Sequence, residues 1–121
     1  MARILAVDDS PAMRQMVSVT LRSAGHEVME ASDGRDALDL ARKEPPVDLV
    51  ITDVNMPNMD GITLVKELRQ LAHYRGVPLL VLTTEASAQK KQEGKAAGAT
   101  GWIVKPFNPE RLLATVARVV V

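Results

Sequence analysis

Five short runs rich in Val, Ile and Leu recur along the chain: Ile4 to Val7, Val28 to Ala31, Val47 to Ile51, Leu79 to Leu82 and Trp102 to Val104. Each is too short for a stable helix and rich in β-forming residues, so each predicts a strand. The intervening segments have helical spacing and recognisable ends. Ser10 reads as an N-cap with Pro11 at the first helical position and Gly25 just past the end, and Met13, Met16, Val17, Thr20, Leu21 and Ala24 fall on one face. A second helix is predicted over Gly34 to Lys43, with Ala37, Leu38 and Ala41 inward, closed by Pro45-Pro46. A third follows Asp60-Gly61 with Ile62, Val65, Leu68 and Ala72 as its stripe. A fourth, mostly polar, runs from about Ala86 to Ala97 and ends at Gly98. The fifth has Asn108 as N-cap, Pro109 at its start and Leu112, Val116 and Val119 beneath.

Strands that alternate with helices are joined by crossovers, which makes them parallel neighbours in one sheet with helices on both faces. The fold class is therefore α/β, a doubly wound five-stranded (βα)5 sheet. In such sheets ligands sit outside the carboxyl ends of the strands. The 121 residues fit one domain, residues 1–121, with no room for an output domain. An apolar content of 46% supplies a core without staples.

Composition narrows the setting. The chain has no cysteine, which removes disulfides and thiolate metal sites and fits a reducing compartment. The apolar run after Met1 stops at Asp8-Asp9, too short for a signal core or a membrane span, so a soluble cytoplasmic protein is expected. The formal net charge is zero, which gives no general field for nucleic acid or an anionic membrane. The charge is uneven, however. Residues 1–85 hold 9 Lys and Arg against 13 Asp and Glu, whereas residues 86–121 hold 6 against 2.

The strand ends carry the candidate chemistry. The first strand ends at Asp8-Asp9, the third at Asp53, the fourth at Thr83 and the fifth at Lys105, all on one edge of a parallel sheet. Taken singly these residues have ordinary explanations: Asp8-Asp9-Ser10-Pro11 as a capping loop, Thr83 as strand chemistry, Lys105 as a solvated charge. Their joint arrival on one edge argues otherwise. Clustered carboxylates repel one another unless a counter-charge intervenes. Oxygen-only ligands with room for water suit Mg²⁺, which neutralises charge on a transferred phosphoryl group. An aspartate can be the nucleophile, forming an acyl phosphate, with Lys105 pairing to one phosphoryl oxygen, Thr83 donating to another and Glu85 orienting water.

The segments ILAVDDS, VITDVNMPNMDG, VLTTE and GWIVKPF span essentially the whole chain. Together they resemble the receiver domains of two-component response regulators, and within them the stand-alone chemotaxis (CheY-like) receivers. That resemblance implies a flavodoxin-like sheet of strand order 2-1-3-4-5. It makes Asp53 the phosphoacceptor, with Asp9 binding Mg²⁺ directly, Asp8 holding it through water and the Asn55 backbone carbonyl completing the protein ligands. Thr83 takes the role of switch hydroxyl and Lys105 that of the phosphate-pairing lysine, with Lys105-Pro106 cis. Asn55 and Glu85 fall at positions that tune phosphoryl lifetime, and Trp102 at the aromatic switch position, where Tyr or Phe is commoner. Indole is larger and only a donor, so packing against the fourth helix is the competing expectation.

By the same resemblance the chain is a signalling switch, not an enzyme with an external substrate, and it catalyses its own phosphorylation and dephosphorylation. A CheA-like histidine kinase would donate the phosphoryl group. The face formed by helix four, strand five and helix five would bind a downstream protein, for which a flagellar motor switch protein is one candidate. Lys90, Lys91, Lys95, Arg111 and Arg118 make that face positive. A monomer is expected, without nucleic acid or membrane. Two other readings stand beside it: a flavodoxin-like mononucleotide carrier, which two aspartates in the first loop disfavour, and a degenerate receiver acting as a scaffold.

Overall fold

In the computed structural model, which describes residues 1–120, the elements follow one another as β1 (Arg3–Val7), α1 (Pro11–Ser23), β2 (Glu27–Ala31), α2 (Gly34–Lys43), β3 (Leu49–Thr52), α3 (Gly61–Gln70), a 3-10 turn (Ala72–Tyr74), β4 (Leu79–Thr83), α4 (Ala88–Ala97), β5 (Gly101–Val104) and α5 (Pro109–Val119). All strand pairs are parallel and the sheet order is 2-1-3-4-5.

Alternation along the strands divides the core in two. Leu5, Val7, Val50 and Leu79 face one side, where Ala37, Leu38 and Ala41 of α2 and Leu64, Val65 and Leu68 of α3 meet them. Ile4, Ala6, Leu49, Ile51, Leu80 and Leu82 face the other, against Val17 and Leu21 of α1 and Leu112 and Val116 of α5. β3 and β4 are buried along their whole length, as strands covered on both faces must be. No helix among the described residues is long and apolar enough to cross a membrane.

The helix starts follow side-chain capping. Ser10, Asp33, Asp60, Ser87 and Asn108 each accept a hydrogen bond from the backbone N–H three residues on. α4 therefore begins at Ala88 rather than Ala86, because Ser87 takes the cap. Its other end is Gly98 at φ 114, a left-handed conformation that glycine adopts without penalty.

Three expected patterns shift. β3 begins at Leu49, not Val47: Asp48 precedes it, giving its N–H to the Arg3 carbonyl and taking the Arg3 N–H on its carboxylate, each at 2.8 Å, so the Arg3 N–H meets a side chain instead of a strand carbonyl. The inward stripe of α3 is Leu64, Val65 and Leu68; Ile62 is half-buried, and Ala72 is exposed in the 3-10 turn that follows the helix. On α1, Met16 is 55% exposed and Ala24 lies outside the core, leaving Val17, Ser18 and Leu21 buried. On both helices the buried stripe is narrower than the apolar spacing alone suggests.

Candidate functional site

The sheet ladder itself delivers the carboxylates. The Asp8 N–H donates to the Ala31 carbonyl at 3.2 Å and the Asp53 N–H to Val7 at 3.0 Å, so both aspartates stand one step beyond their strands on adjacent tracks. The Lys105 N–H donates to the Thr83 carbonyl at 2.8 Å, which fixes the lysine at the end of β5. Carboxylate oxygens of Asp8, Asp9 and Asp53 lie within 4.8 Å of one another. The Lys105 ammonium reaches across the site, donating to Asp8 Oδ2 at 2.9 Å and to Asp53 Oδ2 at 3.1 Å. The side chains of Lys105, Asp8 and Asp53 are only 8%, 6% and 12% exposed, so these ion pairs are poorly screened. Asp9 is exposed.

The remaining oxygens are held as well. Asp8 Oδ1 accepts from the Ser10 N–H at 2.9 Å, and Asp53 Oδ1 from the Val54 N–H at 2.6 Å. Burial disfavours the Lys105 ammonium, but the hydrogen bond to Asp8 and the charge and hydrogen bond of Asp53 outweigh it, and its pKa lies above the ordinary value. Three carboxylates facing one ammonium leave an excess of two negative charges on hard oxygen donors. Such a donor set fits a divalent cation of the Mg²⁺ type.

Gly61 allows α3 to start directly beside the site. Its N–H donates to the Val54 carbonyl at 2.8 Å, and a Cβ there would collide with the Asp53 carbonyl oxygen. The β3–α3 loop is tied down further along. Asn58, at φ 67, donates from Nδ2 to Asp33 Oδ2 at 2.7 Å, and the Gly34 N–H donates to the Met59 carbonyl at 3.1 Å. The hydrogen bonds from Asp36 and Asn58 hold the Asp33 carboxyl below its usual pKa.

The other expected residues occupy the periphery. Thr83 is fully buried and its hydroxyl accepts from the Glu85 N–H at 3.2 Å. The Trp102 indole donates to the Glu85 carbonyl at 2.9 Å and lies flat enough on α4 that a Cβ at Gly94 would come within 2.6 Å of its ring. In this structure Trp102 packs against α4 beside Gly94. Asn55 is exposed in the loop two residues beyond Asp53. The Lys105-Pro106 bond is cis.

Two participants were not apparent from the sequence. Gly61 looked like a helix boundary only. Arg14, one turn into α1, donates to the Asp8 carbonyl at 2.7 Å and pairs with Glu30 at 3.2 Å. The signal for Arg14 was its spacing from the capped start of α1, which turns residue 14 back toward the loop that precedes the helix.

Comparison with known proteins agrees with this geometry. The family model described as the response regulator receiver domain matches residues 4–117. The chain is 41% identical over 111 residues to a chemotaxis protein CheY homolog of Campylobacter jejuni, covering 91% of this chain and 85% of that one. Its fold superimposes on the chemotaxis response regulator CheY4 of Vibrio cholerae with a TM-score of 0.92 and 60% identity, over 98% of each chain. The receiver domain of a sensor histidine kinase from Pseudomonas aeruginosa PAO1, determined with a magnesium ion coordinated in the active site cleft, matches with a TM-score of 0.91 and 28% identity over 98% of this chain and 97% of that one.

Proposed function

Because this chain belongs to the response regulator receiver domain family, a family of CheY-like signalling switches, we propose that Asp53 accepts a phosphoryl group from a histidine kinase in a Mg²⁺-dependent step and that the modified domain changes its affinity for a downstream protein. The observation that carries this reading is the Lys105 ammonium bridging Asp8 and Asp53 inside a cluster of three carboxylates.

Asp8, Asp9 and Asp53, with the backbone carbonyl of Asn55, would hold the ion. Mg²⁺ bound there supplies charge neutralisation for the phosphoryl oxygens. An Asp53 carboxylate oxygen attacks phosphorus as the P–N bond of the kinase's phosphohistidine breaks, and the imidazole leaves with its electron pair and takes a proton from solvent. Lys105 then moves its contact from the Asp53 carboxylate to a phosphoryl oxygen, and Thr83 exchanges its Glu85 contact for another. Asn55 and Glu85 border the modified group and govern its lifetime. In dephosphorylation water oriented by Glu85 attacks the phosphorus, the acyl phosphate P–O bond breaks, and inorganic phosphate and the Asp53 carboxylate are released. In both directions the catalytic groups are the domain's own, which is the sense in which phosphorylation and dephosphorylation are self-catalysed.

The added charge of about −1.5 to −2 at one edge is the input to the switch. Thr83, Glu85 and Trp102 form a hydrogen-bonded route from that edge to α4 and β5. The output face is α4, β5 and α5, where the exposed cations Lys91, Lys95, Arg111 and Arg118 suit an acidic partner segment. A chemotaxis kinase as donor, a flagellar motor switch protein as target, a monomeric state, a cytoplasmic setting and a single domain over residues 1–121 complete the reading. The mononucleotide-carrier alternative is set aside, because the first loop points carboxylates into the site where a nucleotide phosphate would need free N–H donors.

Transfer from a phosphorylated CheA-like kinase carrying a radiolabel tests the reading. Label should move to this chain in Mg²⁺ and remain on the kinase with EDTA. Transfer at equal rate under both conditions would rule out the metal-dependent mechanism.

A further inference from the structure

Arg14 has no part in the reaction as described above, yet it makes one of the shortest contacts at the site. Its Nη1 donates to the Asp8 carbonyl at 2.7 Å while its Nε donates to Glu30 Oε1 at 3.2 Å. Arg22, from the far end of α1, also reaches Glu30, at 3.5 Å. The Arg14 and Glu30 side chains are 20% and 30% exposed, more enclosed than surface pairs whose contribution is negligible. Arg14 also lines the small cavity beneath the site together with Val7, Asp8, Thr52 and Asp53.

The position of this contact matters because β1 has already ended. Val7 gives its carbonyl to the Asp53 N–H in the ladder, but the Asp8 carbonyl comes after the strand. A carbonyl shares one rigid plane with the next residue's N–H and Cα. Whatever holds the Asp8 carbonyl therefore also sets the direction in which Asp9 leaves the loop. The Asp8 carboxylate has its own anchors in Ser10 and Lys105, whereas Asp9 is exposed. A guanidinium near a dication site would by itself repel the cation. Glu30 removes that objection by pairing with it.

We propose that Arg14 is a positioning residue for the cation site: it fixes the peptide plane between Asp8 and Asp9 so that the Asp9 carboxylate converges with Asp8 and Asp53, while Glu30 neutralises its charge. This inference rests on the reading of Asp8, Asp9 and Asp53 as Mg²⁺ ligands. Arg14 touches neither the phosphoryl group nor the ion, and acts through the loop.

Calorimetric titration with MgCl₂ of wild type, Arg14→Met and Glu30→Gln gives the direct readout. Outer-shell partners of metal ligands change affinity by about 10–100-fold, and Arg14→Met is expected in that range. Glu30→Gln should weaken Mg²⁺ binding too, more strongly at low salt, where an unpaired guanidinium repels the dication over a longer distance. In phosphorylation by acetyl phosphate, the Mg²⁺ concentration for half-maximal rate should rise by the same factor while the rate at saturating Mg²⁺ recovers. A general loss of packing would not produce that split. Wild type that fails to bind Mg²⁺ would overturn the proposed function itself. Wild type that binds, with either folded variant within about twofold of it, would overturn the role of Arg14 alone. Should Arg14→Met melt below the assay temperature, Glu30→Gln decides the matter.

Discussion

Replacing Lys105 by Met keeps the length of the apolar stem and deletes the ammonium that joins Asp8 to Asp53. Both contacts are short, 2.9 and 3.1 Å, and the three side chains are 6–12% exposed, so water cannot readily take the lysine's place. Removing one partner of a buried pair costs about 3–5 kcal/mol. Each carboxylate keeps one backbone donor, Ser10 for Asp8 and Val54 for Asp53, which places the expected loss near the lower end, about 3 kcal/mol. With an unfolding entropy of about 2.1 cal/mol/K per residue, that is a fall in Tm of about 12 °C for this chain. Mg²⁺ should reverse much of it, since the ion supplies the missing positive charge, and the Mg²⁺-induced rise in Tm should be larger for Lys105→Met than for wild type. The sign with pH follows from the raised pKa of Lys105. Its contribution is complete below the ordinary value of 10.5 and is lost as pH climbs through the higher folded value, so the gap between the two proteins should be flat near neutrality and close only above 10.5. Differential scanning calorimetry with EDTA or MgCl₂ measures all of this. A variant that melts with wild type in EDTA, or gains less than wild type from Mg²⁺, would refute the charge balance assigned to the site.

Three further outcomes are expected. Asp9→Ala should lose Mg²⁺ stabilisation and phosphorylation together while the apo protein melts no lower than wild type, because one of three mutually repelling carboxylates is gone; thermal melts with and without Mg²⁺ check it. Gly61→Ala places a methyl group against the Asp53 backbone carbonyl, which cannot rotate away, and should destabilise by more than the roughly 1–3 kcal/mol of ordinary overpacking, measured by urea unfolding. Trp102, the only tryptophan, should change its fluorescence on addition of beryllofluoride and Mg²⁺, as Thr83 lets go of Glu85 and the indole's hydrogen-bond partner moves. That change should vanish in Thr83→Ala. A full wild-type response in Thr83→Ala that still binds beryllofluoride would sever the proposed route.

The sheet was legible because its strands are covered on both faces and therefore spell themselves as uninterrupted apolar runs, β4 most plainly. The convergence of Asp8, Asp9, Asp53 and Lys105 was legible for a related reason: parallel strands put all their carboxyl ends on one edge, so strand assignment alone brings the charges together. What stayed hidden depends on which way a side chain points. Val47 is buried, and reads as strand, yet the Arg3 N–H is taken by the side chain of Asp48 beside it and the strand starts only at Leu49. Met16 counts toward an apolar face but emerges exposed, since α1 covers only the flank formed with α5. Trp102 could go inward or onto α4 as far as its sequence position tells; the absence of a side chain at Gly94 opens the niche that receives it, a relation across eight residues and two elements. Arg14 is one of fifteen basic residues until the capped start of α1 and the end of β1 place its guanidinium at the Asp8 carbonyl.

The proposed switch depends on phosphorylation of Asp53 in the presence of a divalent cation. Intact-mass measurement of wild type and Asp53→Asn after incubation with acetyl phosphate, each with MgCl₂ or with EDTA, addresses it directly. One phosphoryl adduct is expected on wild type in Mg²⁺ and none in the other three samples. An adduct of equal yield on Asp53→Asn would place the acceptor elsewhere, and one of equal yield on wild type in EDTA would rule out the need for a divalent cation.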